Sequence, residues 1–359
     1  MVYYITGSNV FGQWLCDDAV LSEFRTFTAT KHDVEIGLSQ ANLVQINWSY
    51  NIFEADSIFY VTGAWKGKEQ QLVKIPLPED STSSNVELCV IGNDYKILLV
   101  GKNVNSVWVI DLKTNEIRRI QINVEELLED IVKKPKIETS ITKARIMNDS
   151  CIFLTSNGNV YSGILPSCVD TRHCKGKLID VKCGYEHFVL LTEKGRVYTW
   201  GNGRRLQLGH GDIGNQDLPT EIDALAGIKI IKISAGGWHS LALSEFGDVY
   251  AWGWNDTGQL GIKNRQGGKE SYSIPTLIDL FDEKETVLEK NIKDIACGSR
   301  HSAILLDDNT VWTTGCNKYG QLGLSQEKYT SLNHFKKVFN CNKECLLICG
   351  PWNTVIYSS

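Results

Sequence analysis

Apolar and polar positions alternate with a period of two along much of the chain, the mark of strands with one buried face. In "SAGGWHSLALSEFGDVYAWGWNDTGQLG", residues 234–261, His239, Leu241 and Leu243 fall on one strand face and Ser240, Ala242 and Ser244 on the other. A turn follows, and Val249, Tyr250, Ala251 and Trp252 form the return strand. The same string recurs as "VKCGYEHFVLLTEKGRVYTWGNGRRLQLG" (181–209) and "IACGSRHSAILLDDNTVWTTGCNKYGQLG" (295–323). Gly184, Gly236 and Gly298 lie 52 and 62 residues apart, and His187, His239 and His301 keep those spacings. A fourth copy opens at "CGPWNTVIY" with Gly350, and its second half stands at the other terminus as "VYYITGSNVFGQWL".

A repeat begun at one end and completed at the other predicts a closed ring. Periods of about 40–50 residues with several short strands each predict a propeller. Weaker copies at 145–163, 44–63 and 87–112 bring the count to seven. The expectation is all-β: a seven-bladed β-propeller, one domain over 1–359, closed by a split blade of 1–15 with 346–359. Closure would remove the sheet edges that invite aggregation.

The repeated residues read as structure. The hairpin-turn position is Gly158, Gly195, Gly247 and once Asn309, residues that tolerate positive φ. Gly203, Asn255 and Asn317 show the same exchange in an outer loop and invite the same explanation. The histidines recur once per strong repeat and become Asn353 in the split copy. Asparagine can hydrogen-bond backbone but cannot act as a base near neutral pH. Gly184, His187, Gly236, His239, Gly298, His301, Gly350 and Asn353 are therefore assigned to the scaffold, with no catalytic residue and no enzyme activity expected.

Composition narrows the function classes. The 359 residues carry 42% hydrophobic and 9% aromatic side chains, ample for a packed core, and 37 basic against 42 acidic groups, a net −5. With no Lys/Arg-rich run, strong direct binding to nucleic acid is not expected. "MVYYITG" enters a strand almost at once, so neither a leader nor a membrane span is expected. Eleven scattered cysteines point to a reducing compartment, nucleus and cytoplasm. Two groups hold zinc-ligand residue types close together: Cys341, Cys345 and Cys349 with His334, and Cys168, His173 and Cys174. The first places Cys349 where Cys183 and Cys297 sit before the glycine, and the second lacks a fourth ligand, so no metal or other cofactor is expected.

Two segments stand outside the repeat. Residues 121–142 carry Val124, Leu127, Leu128 and Ile131 at helical spacing, with Asn123 and Glu126 as a capping box and Pro135 ending the pattern. A short helix packed on the ring is expected there rather than a partner-binding one. Residues 263–291 lengthen one repeat by ten, and their polar first half reads as a surface loop.

The combination GxxHS, GxVYxWG and NxxGQLG, with its split terminal copy, resembles the regulator of chromosome condensation repeat family. The resemblance is strong over 179–359 and 1–15 and loose over 43–165. It implies a non-enzymatic interaction module, and similarity to an animal member implies a Jumonji-C, 2-oxoglutarate-dependent oxygenase as partner in chromatin regulation and mitosis, with histone association indirect. The family also implies an alternative, guanine-nucleotide exchange on a Ran-like GTPase, for which 263–291 would be the agent. A monomer is expected. Two departures, Leu206 before Gln207 and Thr314 for a tryptophan, predict reshaped outer loops in two blades.

Partner-binding residues are sought between glycine and histidine, where the copies differ: Tyr185 and Glu186, Gly237 and Trp238, Ser299 and Arg300, Pro351 and Trp352. Tyr185, Glu186, Trp238, Arg300 and Trp352, with Trp254 in an outer loop, form the candidate set, since Trp, Tyr and Arg dominate binding hot spots. A second reading stands beside it, in which the tryptophans plug a central channel.

Overall fold

The computed structural model describes residues 2–27, 41–81, 87–102, 106–114, 116–121, 140–263, 268 and 270–358. Its strands form seven four-stranded antiparallel sheets. Blade I is β3 (Asn42–Ile46), β4 (Tyr50–Ala55), β5 (Ile58–Trp65) and β6 (Lys68–Lys74). Blade II is β7 (Leu88–Gly92), β8 (Lys96–Gly101), β9 (Ser106–Asp111) and β10 (Ile117–Gln121). Blade III is β11 (Ile141–Met147), β12 (Ser150–Thr155), β13 (Val160–Ser162) and β14 (Ser167–Val169). Blade IV is β15 (Leu178–Cys183), β16 (His187–Thr192), β17 (Val197–Gly201) and β18 (Gln216–Glu221). Blade V is β19 (Ile230–Ala235), β20 (His239–Ser244), β21 (Val249–Gly253) and β22 (Tyr272–Leu277). Blade VI is β23 (Ile292–Cys297), β24 (His301–Leu306), β25 (Thr310–Cys316) and β26 (Ser331–Asn340).

Blade VII is shared between the termini. Its order is β2 (Val20–Phe27), β1 (Val2–Ser8), β28 (Asn353–Ser358), β27 (Cys345–Gly350). β1 pairs antiparallel with β28 from Val2↔Ser358 to Gly7↔Asn353. Inner strands of successive blades touch in turn, and β27 touches β3, so the ring closes. The fourth strand of this blade, Val20–Phe27, extends it past residue 15. Likewise Tyr272–Leu277, inside the segment set apart as an insertion at 263–291, is the outer strand of blade V. The helix expected within 121–142 falls almost wholly on residues outside those described.

Buried clusters sit between neighbouring sheets. Ile292, Ile304 and Trp312 of blade VI pack with Leu241, Val249 and Ala251 of blade V. Hairpin geometry follows the sequence: Gly158, Gly195, Gly247 and Asn309 all have positive φ, between 61° and 87°. The outer-loop exchange has another cause. Asn255 and Asn317 work through their side chains: each Oδ1 accepts from the backbone N–H of Leu260 (2.9 Å) or Leu322 (3.1 Å), and each Nδ2 donates to loop carbonyls. Gly203 lacks that cap because Gly214 O would lie 1.9 Å from any Cβ there.

The two departures leave the loops in shape. Leu206 takes φ +63° where Gly12, Gly258 and Gly320 take +70° to +87°, and Gln207 Oε1 still accepts from Arg205 N–H at 2.8 Å. In blade V the indole of Trp252 packs on Gly209 of the preceding loop; in blade VI, where Thr314 replaces tryptophan, the ring of Phe335 from β26 occupies that place on Gly261. The expected reshaping does not occur, because a strained leucine and a borrowed phenylalanine restore the contacts.

Candidate partner interface at the channel mouth

Strands one and three of each blade run toward the same end of the ring, so the glycine–histidine loops and the outer loops share one face. The recurring histidine fixes that face. Its imidazole lies on the glycine three residues earlier: a Cβ on Gly184, Gly236 or Gly298 would meet the ring Cε1 at 2.1, 2.2 or 2.0 Å. Nε2 then reaches the next blade, from His187 to Ser240 (3.0 Å), His239 to Ser302 (2.9 Å) and His301 to Thr354 (3.2 Å). Ser302 and Thr354 spend their own protons on Gln259 O and Gln321 O, so His239 and His301 donate through Nε2–H. Burial lowers His187 and His239 to about 3 and His301 to about 4. Groups so buried, bonded and uncharged hold blades together.

Other residues take the histidine position in other blades. Asn353 turns back to its own split blade, Nδ2 donating to Ser8 O at 2.8 Å, and so ties the chain ends. In blade I, Tyr50 occupies the histidine position and its hydroxyl donates to Asn93 O of blade II at 2.6 Å.

Above this girdle the loops form a stiff rim. Tyr185 N donates to Gly237 O (3.0 Å), Gly237 N to Ser299 O (3.2 Å) and Ser299 N to Pro351 O (2.9 Å), a backbone relay through blades IV to VII. Tyr185 spans two blades to donate its hydroxyl to Ser299 Oγ at 2.6 Å. On that frame sits an aromatic platform. Trp238 meets Tyr185 edge to face at 4.7 Å and Trp254 at 5.3 Å. The guanidinium of Arg205 lies 4.3 Å from the Trp238 ring centre and 3.8 Å from that of Trp254. Arg300 stacks on Trp254 at 4.9 Å and forms an ion pair with Asp256.

The structure thus brings Tyr185, Trp238, Trp254 and Arg300 together. Trp352 joins a second cluster, 5.9 Å from Trp48 and 5.2 Å from Tyr319. Exposed Glu186 accepts from Asn202 of its own blade at 2.9 Å. Arg205, Trp48 and Tyr319 were missed by the sequence reading. Arg205 and Tyr319 share one register position in the NxxGQLG loops, with Phe11 and Thr257, which a loop-by-loop alignment would have flagged. Trp48 stands in a blade without the glycine–histidine motif, so nothing marked it.

Inside the rim a cavity of about 800 Å³ runs along the axis, bounded by inner strands of all seven blades. Burial raises the thiols of Cys183 and Cys297 to about 12, and both remain free. Among the described residues no three His, Cys, Asp or Glu side chains gather as a metal site.

Sequence comparison bears on the same loops. The description "Regulator of chromosome condensation (RCC1) repeat" matches residues 194–243 and 247–305, and a second description of the same repeat matches 178–207, 230–259 and 292–321. Residues 178–321 thus carry repeats that match the regulator of chromosome condensation family. Mouse "RCC1 domain-containing protein 1" is 34% identical over 214 residues, covering 50% of this chain and 55% of the relative. The chain thus spans about half the length of that relative. Human WBSCR16 superposes with a TM-score of 0.75 over 100% of both chains at 16% identity. Yeast Prp20p, from Saccharomyces cerevisiae, gives 0.76 over 99% of this chain and 90% of its own, also at 16%. At such identity the structural likeness establishes the regulator of chromosome condensation fold and nothing further.

Proposed function

We propose that this chain is a non-enzymatic protein-interaction module that binds its partner through the platform of Trp238, Trp254, Arg205 and Arg300. The observation carrying the proposal is Arg205: its guanidinium is framed by two indoles, and no carboxylate among the described residues pairs with it. Aromatic framing orients the guanidinium and cuts the ordering cost of engaging a partner. Two neighbouring tryptophans add the residue types that dominate hot spots.

A photo-crosslinking residue at Glu186, on the rim, should capture a partner protein from cells, whereas one at Phe246, in a hairpin turn of the opposite face, should not. Capture from Phe246 alone would overturn the assignment. The finer proposal is that the partner is a Jumonji-C, 2-oxoglutarate-dependent oxygenase, recruited in the nucleus and cytoplasm for chromatin regulation and mitosis, with histone contact indirect. It rests on the family resemblance of residues 179–359 and is tested by whether the crosslinked protein is such an oxygenase. The alternative, guanine-nucleotide exchange on a Ran-like GTPase, is supported by the shared fold of Prp20p, whose structure is described with its binding to Gsp1p and histones. Acceleration of fluorescent-nucleotide release from such a GTPase would favour it.

A further inference from the structure

The axial cavity carries a charge pattern that neither the rim nor the repeat requires. In the inner strands of blades III to VI a β-bulge recurs at one height, between Ile141/Lys143, Leu178/Asp180, Ile230/Lys232 and Ile292/Asp294. It places Lys143, Asp180, Lys232 and Asp294 in equivalent positions, as bulges re-aim side chains. These four pair off: Lys143 Nζ lies 2.8 Å from Asp180 Oδ1, and Lys232 is joined to Asp294. Two rungs closer to the rim, Arg145 and Lys182 occupy equivalent positions in neighbouring blades and both line the cavity.

The carboxylates are fully engaged. Asp180 also accepts from Val181 N–H at 3.0 Å and lies 3.3 Å from Lys182 Nζ; Asp294 accepts from Ile295 N–H at 2.7 Å and Leu347 N–H at 3.3 Å. Four cations thus face Asp180 and Asp294, with Asp94 a third carboxylate on the cavity wall, an excess of one positive charge inside a chain whose net charge is −5. Arg145 has one hydrogen bond, Nη1 to Ala144 O at 2.8 Å, and no carboxylate within ion-pair distance among the described residues. Burial and the neighbouring Arg145 charge lower Lys182 to about 8. A second observation concerns the same cavity wall. Asn47 lines the cavity, is 5% exposed, and its Nδ2 has no acceptor.

Arg145 and Lys182 are half-buried like charges, only Lys182 has a carboxylate beside it, and low-dielectric walls focus the field of the surplus charge. We infer that the axial cavity is a binding site for a small phosphate-class anion, held by Arg145 and Lys182 with Asn47 as a neutral donor. Trp48, Tyr185, Trp238, Tyr319 and Trp352 border the same cavity at its mouth, which favours a small dissolved anion over a phosphorylated chain segment.

Inorganic pyrophosphate is the probe. Calorimetric titration of the full chain at low ionic strength should give one site, and pyrophosphate should raise the melting temperature beyond sodium chloride of equal ionic strength. Arg145→Gln and Lys182→Met should each weaken binding at least tenfold, and Arg145→Gln should melt no lower than the parent, because it relieves the repulsion without breaking an ion pair. Arg145→Lys should retain binding within a few-fold, and Lys229→Gln, in an exposed pair with Glu245, should change nothing. A flat titration of the unaltered chain overturns the proposal without reference to any variant, and so does equal binding by Arg145→Gln. Neither outcome touches the rim interface, whose test is the crosslink.

Discussion

Nε2 of His239 in blade V donates to Oγ of Ser302 in blade VI across 2.9 Å, and that hydroxyl donates onward to Gln259 O. The same link starts from His187 and His301, so three consecutive blade interfaces share one device. Removing the donor takes away the hydrogen bond that the buried Ser302 oxygen accepts and opens a cavity over Gly236. His239→Ala should cost about 2–4 kcal/mol in chemical denaturation, the range for a large-to-small change with a lost buried hydrogen bond. A loss below about 0.5 kcal/mol would remove the histidine from the structural account.

The same histidines set an acid dependence. Folded values of about 3 to 4 lie below the ordinary 6.5, so the unfolded chain takes up protons that the ring refuses. Their contribution is complete above about pH 6.5 and falls as pH drops toward 4. Each histidine adds a slope of up to about 1.4 kcal/mol per pH unit in that window. Denaturation midpoints between pH 7 and 4.5 should fall, and His239→Asn should flatten the curve. A curve unchanged by that substitution contradicts neutral burial.

Leu206 holds φ +63° at a position where three sister loops have glycine. A bulky residue in the left-handed region costs on the order of 1–3 kcal/mol, partly offset by the lower entropy of the unfolded chain. Leu206→Gly should therefore stabilise the protein by about 1 kcal/mol. Destabilisation would show that the leucine side chain contributes packing that outweighs its backbone.

Phe335 stands on Gly261 where Trp252 stands on Gly209. It is 2% exposed and belongs to the cluster joining blades V and VI. Phe335→Ala should cost about 3–5 kcal/mol in thermal or denaturant unfolding. A cost near that of a surface substitution would mean Thr314 leaves no space to fill.

Much of this was legible in the chain. Spacing of Gly184, Gly236, Gly298 and Gly350 predicts the ring, and the split copy predicts the pairing of β1 with β28. Alternation and a turn located blades I and II, and the Asn157–Gly158 turn with Val160 and Tyr161 located blade III, although Tyr50 in the histidine role carried no motif. Three things were hidden. The outer strand of blade V lies in a segment whose polar pattern matches a loop, because an outermost strand has little apolar surface to bury. Phe335 in place of tryptophan comes from a different strand, so no register comparison of Thr314 reveals it. Arg205 between two indoles depends on loops of adjacent blades meeting in space. Strand position follows from periodicity, whereas contact between blades follows from closure.

The claim on which the functional account turns is that a stiff ring presents Arg205, Trp238 and Trp254 as one binding platform. Quantitative affinity purification with the full chain and with Arg205→Glu tests it most directly, paired with melting curves of both. The account predicts that the variant melts within a few degrees of the parent and loses the proteins enriched by the parent. An unchanged set of enriched proteins, or a collapse of the melting temperature, would contradict it.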